Sequence, residues 1–444
     1  MYKYLIEKLN LDPHLKELVM GSFSAFVFHS LGVLMSYASF FYISYFYGAA
    51  VLGSLVLVIT ISSIFAVVPR FGFDISLIRI YSELVVGSIG NQVSAVFIKT
   101  TVFTICLSIF FVVLMLFGKE IIVHSILDMD DFMVLIPLVA IAIMTTSLLG
   151  VFGGFFRGMK KIKTFVFFNS ILQPAMFLIL VYAFGAQELK EVVTIFIISS
   201  VFNTIFAFFS LVYNQSKLKN NLNLTNSPIR YPFIMILSFS APVLVSSSFA
   251  MLMLWTDVVM LGIYKTEFDV GVYSVIQKLS ITIIFILGSI NTIAAAKFAE
   301  LFSNKNIKEL KKMAQIAAKL IFYGTLPVVL IFIFFPSFIL SLFGPEFKFG
   351  ATALVLISIG QFVNAICGPV GFMLDMTNNQ KTVRNVVIIS AFINISLNYL
   401  LIPAHGINGA AFSSMVSMIF LNLCMLFAVK KRLGFWTFYM PVLK

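Results

Sequence analysis

The sequence predicts an all-α integral membrane protein of about twelve transmembrane helices, arranged as two six-helix lobes related by a pseudo-two-fold axis along the membrane normal. Three observations predict it. The chain of 444 residues is 60% hydrophobic and 11% charged, with a mean hydropathy of +1.05, far from the composition of a soluble domain. Apolar stretches of roughly 20 residues, each about long enough to cross a bilayer as a helix, recur along its whole length with short polar connectors. Three landmarks also repeat in order at an offset of about 216 to 218 residues, the signature of an internal duplication.

Twelve spans follow from the hydropathy: 18–46, 50–72, 95–118, 132–155, 164–186, 192–213, 233–263, 271–296, 314–343, 349–374, 383–403 and 407–429. Ahead of them, MYKYLIEKLNLDPHLKEL is too charged for a cleaved signal peptide and suits either a short surface helix or an unstructured tail. Of the thirty Lys and Arg, twenty-five fall on the tails, connectors and adjoining span ends of one side, and four (Lys119, Lys190, Lys265, Lys348) fall on the other. The positive-inside rule then places both termini of the multi-pass protein in the cytoplasm. Every opposite connector is short, which leaves no room there for a catalytic domain.

The duplication supplies the domain plan. FSAFVFHSLGVLM (23–35) pairs with FSAPVLVSSSFAM (239–251), VLGSLVLVI (51–59) with DVGVYSVIQ (269–277), and RIYSELV (79–85) with KFAELF (297–302). Both copies begin on the same side, so they form parallel repeats with a cleft between them, a plan suited to alternating access. The expected parts are an N-terminal segment 1–17, an N-lobe 18–213, a cytoplasmic linker 214–232, a C-lobe 233–429 and a tail 430–444.

Several function classes drop out. The net charge of +12 sits in connectors beside a membrane, so it marks topology and lipid contact rather than nucleic acid. Cys106, Cys367 and Cys424 lie inside apolar segments with no spacing for a metal site or a disulfide framework. No phosphate-cradling GxxxxGK[ST] loop, HExxH or GxSxG motif occurs, so no cofactor, ATPase or hydrolytic chemistry is expected.

In their order and spacing, five segments resemble the Wzx-type polysaccharide flippases of the multidrug, oligosaccharidyl-lipid and polysaccharide (MOP) exporter superfamily. They are FYGAAVLGSLVLVITISSIF leading to FGFDISLIRIYSEL, GFFRGMKKIKTFVFFNSILQP, FSAPVLVSSSFAMLMLWTDVVMLG, VGVYSVIQKLS with AKFAEL, and SLFGPEFKFGATALVLISIGQFVNAICGP. The resemblance implies a V-shaped MATE/MurJ-like bundle. It also implies translocation of undecaprenyl-diphosphate-linked oligosaccharide for surface polysaccharide such as O-antigen, lipopolysaccharide or capsule. Implied partners are that lipid-linked oligosaccharide, membrane lipids, H+ or Na+ as coupling ion, and the polymerase and chain-length proteins of the same pathway. An ion-coupled MATE-like drug exporter is the first alternative, and a membrane polymerase or glycosyltransferase the second.

The candidate residues are polar groups that cost free energy inside a membrane and so require either a partner or water. Asp257 stands alone in LMLWTDVVMLG, and Lys278 falls at similar depth on the next span. The pair is expected either to neutralise itself or to face a cavity, with Lys278 drawing diphosphate and Asp257 exchanging between proton, cation and Lys278. The repeat offset carries these positions to Phe41 and Thr60, so the first lobe lacks both charges.

Arg70 and Arg79, with Asp74 and Glu83, close span two, and Lys297 with Glu300 closes span eight; they suit either headgroup anchoring or the first contact with diphosphate. Arg157, Lys160, Lys161 and Lys163 form a basic turn that the glycines of GGFFRGMKKIK would tighten, and SNKNIKELKKMAQIAAK reads as an amphipathic surface helix. His29 is either a structural histidine or part of a proton relay. Asn169, Gln173, Asn291, Gln361, Asn364, Asn394 and Asn398 either tie helices together or meet sugar hydroxyls.

Overall fold

A chain in hydrocarbon must satisfy its backbone N–H and C=O groups internally, which turns each apolar stretch into helix. The structure, a computed structural model, describes residues 13–86, 90–120, 130–186, 188–221, 232–377 and 379–438. Most of the expected N-terminal segment, residues 121–129 of one connector, residues 222–231 of the linker and the end of the tail lie outside the described residues. Among the described residues no strand occurs.

The first unbroken run, α1, is Pro13–Arg70, followed by α2 Phe73–Val86 and α3 Gly90–Phe117. At 1.5 Å per residue, 58 residues would reach about 87 Å, far more than the roughly 30 Å hydrocarbon core. The run therefore holds two spans, and it breaks at Gly48, whose φ of 83° excludes other residue types. After a 3-10 turn (Asp130–Leu135) come α4 Ile136–Gly158 and α5 Ile162–Val166; a π-turn (Phe167–Ile171) then leads into α6 Leu172–Phe184, and α7 is Leu189–Asn221.

In the second half α8 is Phe233–Tyr264, α9 Glu267–Ser303, α10 Ile307–Phe334 and α11 Pro336–Ser341. A 3-10 turn (Pro345–Gly350) precedes α12 Ala351–Cys367 and α13 Val370–Met376, and α14 is Gln380–Leu433, broken at Gly406 (φ 52°). That break is a hairpin. A Cβ on Gly409 would lie 2.5 Å from the Leu401 carbonyl, and Asn394 Nδ2 reaches Ser414 Oγ at 3.4 Å, so the two arms run side by side.

Among the described residues eight helices are long and apolar enough to span a membrane, counting α1 and α14 once each. Division at the two glycines and inclusion of α8 and α9, 32 and 37 residues long, gives the twelve spans read from the sequence. The basic stretch at 307–319 is not a separate surface helix but the first turns of α10. Asn306 caps it by accepting from the Glu309 N–H at 3.2 Å, and Leu310, Ala314 and Ala317 are buried.

Two compact units emerge, one of residues up to 42 with 58–252, the other of 43–57 with 253 onward. The first packs Phe73, Tyr81, Phe152, Phe155, Phe156 and Ile236 into one core, and the second packs Phe298, Leu310, Met373, Met425 and Phe435. Residues 43–57 thus belong to the second unit and 233–252 to the first, although the repeat assigns them the other way. Close backbone approaches account for both placements. A Cβ on Gly271 would meet the Ala49 carbonyl at 1.9 Å, and one on Gly72 the Ser240 carbonyl at 2.7 Å.

Candidate functional site

Asp257 is 5% exposed in the second unit, in the last turns of α8. Its surroundings follow from turn geometry. Lys265 Nζ donates to the Pro403 carbonyl at 2.9 Å, so the α8–α9 turn lies beside the Gly406 turn of α14. Four helix arms start from this shared end, and residues about six to eight positions from it meet at one depth, roughly 10 Å in.

Those residues are Asp257, Tyr273, Asn398 and Ser414, and they converge on one carboxylate. Oδ2 accepts from Tyr273 OH at 2.6 Å and from the Ser414 hydroxyl; Oδ1 accepts from Asn398 Nδ2 at 2.6 Å and Asn394 Nδ2 at 3.3 Å. Asn398 Nδ2 also reaches Asn394 Oδ1 at 3.2 Å, and Ser417 Oγ lies 3.5 Å from Asn394 Nδ2. Hydrogen bonds to a charged acceptor contribute about 1.5–3 kcal/mol each, so four donors can offset a desolvation cost of several kcal/mol. No cation is needed to hold the carboxylate in place.

The expected partnership with Lys278 is not formed. Among the described residues the polar contacts of Asp257 are the four given above, and none of them is to Lys278. The helix start explains the difference. Helix α9 begins at Glu267 rather than near 271, which puts Tyr273 at the depth of Asp257 and Lys278 five residues deeper. Five residues are about 7.5 Å along a helix and about 140° around it, so the two side chains leave α9 in different directions. Lys278 is half-buried.

The remaining candidates are scattered. Arg70 belongs to a clamp in the first unit: it pairs with Asp74 and presses on the backbone at Gly150, where a Cβ would lie 2.5 Å from its Nε. Arg157 donates to the Asp74 carbonyl at 2.8 Å and lies 4.7 Å over the Phe165 ring. The nearby glycines do not tighten the basic turn. Gly154 and Gly158 lie within α4, where a Cβ would lie 2.8 Å from the Phe73 carbonyl and from Tyr81 Cβ respectively, and the turn itself uses Lys160 at φ 58°.

His29 and Lys297 are exposed. Gln361 is buried and accepts from Asn364 Nδ2 at 3.3 Å on α12, without a hydrogen bond to the Asp257 group. The side chains of Arg79, Glu83, Asn291 and Glu300 lie outside the described residues. Tyr273, Ser414 and Ser417 were not singled out by sequence, although Ser414 and Ser417 are three apart and Asn394 and Asn398 four apart, spacings that put each pair on one helix face.

Chemically, the cluster combines one carboxylate with groups that can reverse their role. A serine or tyrosine hydroxyl can donate or accept, and each amide carries an oxygen as well as an NH2. Asn398 Oδ1 is buried without a partner among the described residues. An unsatisfied buried acceptor costs about 1–3 kcal/mol, a cost that a hard cation would relieve. Asp257, Asn394, Asn398 and Ser414 thus fit a proton or a monovalent cation bound by oxygen.

The family profile described as "Polysaccharide biosynthesis protein" matches residues 18–296, more than half of the chain. The chain belongs to the polysaccharide biosynthesis protein family. A second profile, MatE, matches residues 242–400 of this family member, a stretch that contains Asp257, Tyr273, Asn394 and Asn398.

Over 167 residues the chain is 25% identical to the probable low-salt glycan biosynthesis flippase Agl15 of Haloferax volcanii, covering 37% of this chain and 35% of that protein. The match therefore spans about a third of that relative's length. Among solved structures, the inward-facing form of a MATE-family multidrug resistance transporter of the MOP superfamily has a TM-score of 0.73 at 15% identity, over 92% of this chain and 98% of that one. The lipid II flippase MurJ in an inward closed conformation has a TM-score of 0.67 at 16% identity, over 93% and 87%. A MOP transporter from Pyrococcus furiosus has a TM-score of 0.62 at 16% identity, over 97% and 98%. These likenesses establish an all-α MOP-type membrane fold.

Proposed function

We propose that this family member flips undecaprenyl-diphosphate-linked oligosaccharide from the cytoplasmic to the far leaflet by alternating access, driven by a proton or monovalent cation at Asp257. The observation that carries the reading is a buried carboxylate satisfied entirely by neutral donors, one of which, Asn398, retains an unpartnered oxygen. Such a charge can exchange ions without leaving an opposite charge stranded. Both termini are then cytoplasmic, and the protein works beside the polymerase and chain-length proteins of its pathway.

The cargo reading draws on the family description and on the glycan flippase among its relatives. Energetics explain why a coupling ion matters. Inward movement of one positive charge down an inside-negative potential releases about 2.3 kcal/mol per 100 mV, so the return of a proton or cation through Asp257 can drive the transport cycle. Lys278, half-buried on α9, is the residue assigned to attract the diphosphate, and His29, exposed on α1, and the amides of α12 are assigned to polar contact with cargo.

Lipid extraction from a deletion strain tests the cargo. Accumulation of one polyprenyl-linked oligosaccharide is expected, with restoration by the intact gene. The second reading, an ion-coupled small-molecule exporter, is favoured by the MatE match around Asp257. It predicts no accumulation and heightened drug sensitivity, an outcome that would displace the flippase reading.

A further inference from the structure

We propose that Tyr273 links the Asp257 cluster to the contact that holds the Gly48 turn of α1 within the second unit, so that the charge state of Asp257 decides whether that turn is held. The proposal rests on the ion-coupling reading of Asp257 given above.

Three contacts fix the turn. The Ala49 N–H donates to Glu346 Oε1 at 2.5 Å, a charge-assisted bond at the first turn after the Gly48 break. A Cβ on Gly53 would lie 1.7 Å from the Glu267 carbonyl, and one on Gly271 1.9 Å from the Ala49 carbonyl. Backbone therefore rests on backbone in both places, an approach that only glycine permits. Leu52 is fully buried as a result.

Two of these contacts fall on the start of α9, and the third on a turn packed against it. Gly271 touches Ala49. Val272 and Ile276 touch the 3-10 turn that carries Glu346, since a Cβ on Gly350 would lie 2.7 Å from Val272 Cγ1 and from Ile276 Cδ1. Tyr273, between them, donates to Asp257 at 2.6 Å. Every residue from Val270 to Ile276 is buried, so this stretch has no room to absorb a shift locally.

A hydrogen bond to an ionised acceptor is roughly twice as strong as one between neutral groups. When a proton or cation neutralises Asp257, the Tyr273 anchor weakens, and α9 loses a bond that fixes its rotation and register, on which the close fits at Gly271 and Gly350 depend. The Gly48 turn is then free to leave. In this role Tyr273 is a positioning residue that acts through Asp257 and not on the cargo.

The test uses full-length protein in lipid nanodiscs, with Cys106, Cys367 and Cys424 replaced and Leu52→Cys as reporter. The readout is the rate of labelling by a bulky maleimide at fixed pH, in sodium or choline chloride. Asp257→Asn, which mimics the neutral carboxylate, is expected to speed labelling about tenfold. Tyr273→Phe keeps the ring but loses the hydroxyl, and should label as fast as Asp257→Asn; the double variant should be no faster than either.

Gly271→Ala, which forces the contact apart, should label fast in every background, and Glu346→Gln should leave the response to Asp257→Asn intact. Parent-like labelling in Tyr273→Phe, or a tenfold response to Asp257→Asn that persists in Tyr273→Phe, overturns the link. Slow labelling in Gly271→Ala overturns it too, because the contact would then not be what closes over Leu52. If Asp257→Asn abolishes transport without changing labelling, the link fails while ion coupling stands. If Asp257→Asn leaves transport intact, ion coupling itself fails.

Discussion

In the first unit Arg70, Asp74 and Arg157 form a clamp in which a carboxylate faces a guanidinium at 3.6 Å and a second guanidinium hydrogen-bonds the backbone. In the second, Asp257 meets two amides and two hydroxyls and no cation. Both arrangements bury charge in a helical bundle, but they respond differently to change. Removing one member of an ion pair strands the other, so a pair resists exchange and serves to fix structure. A charge held by neutral dipoles can be neutralised and restored while its neighbours only reorient, which is the property an ion-coupling site needs.

The largest effect that would break this comparison is expected at Asp257. Asp257→Asn should lower cargo translocation in proteoliposomes by about 100-fold, roughly 2.7 kcal/mol of coupling, while the thermal midpoint in detergent stays near that of the parent. Half-normal transport would place Asp257 with the structural clamp instead. For Arg70→Ala the opposite pattern is expected: a stability loss of about 2 kcal/mol, below the range for fully buried pairs because both side chains retain some exposure, with transport per folded molecule preserved. Adding Asp74→Ala should recover part of that loss, since no carboxylate is then left unpaired.

Asn398→Ala removes the orphan acceptor and one donor together. It should weaken the cation dependence of transport about tenfold and lower stability by about 1 kcal/mol, read from a sodium or proton titration of rate and from melting. The smallest effect is expected at Lys278→Ala, about a fivefold rise in half-saturating cargo with an unchanged cation titration. Because Lys278 and Asp257 form no ion pair, the double variant should show the product of the two single effects. Rescue of Asp257→Ala by Lys278→Ala would restore the pair that the sequence suggests.

Much of the architecture was legible because hydropathy and the membrane leave few choices. The twelve spans, the short connectors and the isolation of Asp257 all follow from residue types. Its partners were harder to read, since Asn394, Asn398 and Ser414 are 137 to 157 positions away and only the packing of two turns brings them to one depth. Lys278 was misplaced by the few residues between the hydropathic start of a span and the true helix start at Glu267. The exchange of 43–57 and 233–252 between units was invisible too, because a repeat reports ancestry while glycine-to-backbone contacts decide where a segment packs. Gly53, Gly72 and Gly271 carry that information, and in sequence they look like any other glycine.

The break at Gly406 also limits how the protein can be altered. A hairpin that reverses on one residue, with Gly409 against Leu401, contains no slack. An epitope tag, a protease site or a fluorescent insertion placed there would have to pry two packed helices apart at the mouth of the Asp257 group. On that side of the membrane, the turn offers an antibody or a protease only the exposed Pro403, Ala404 and His405 to hold.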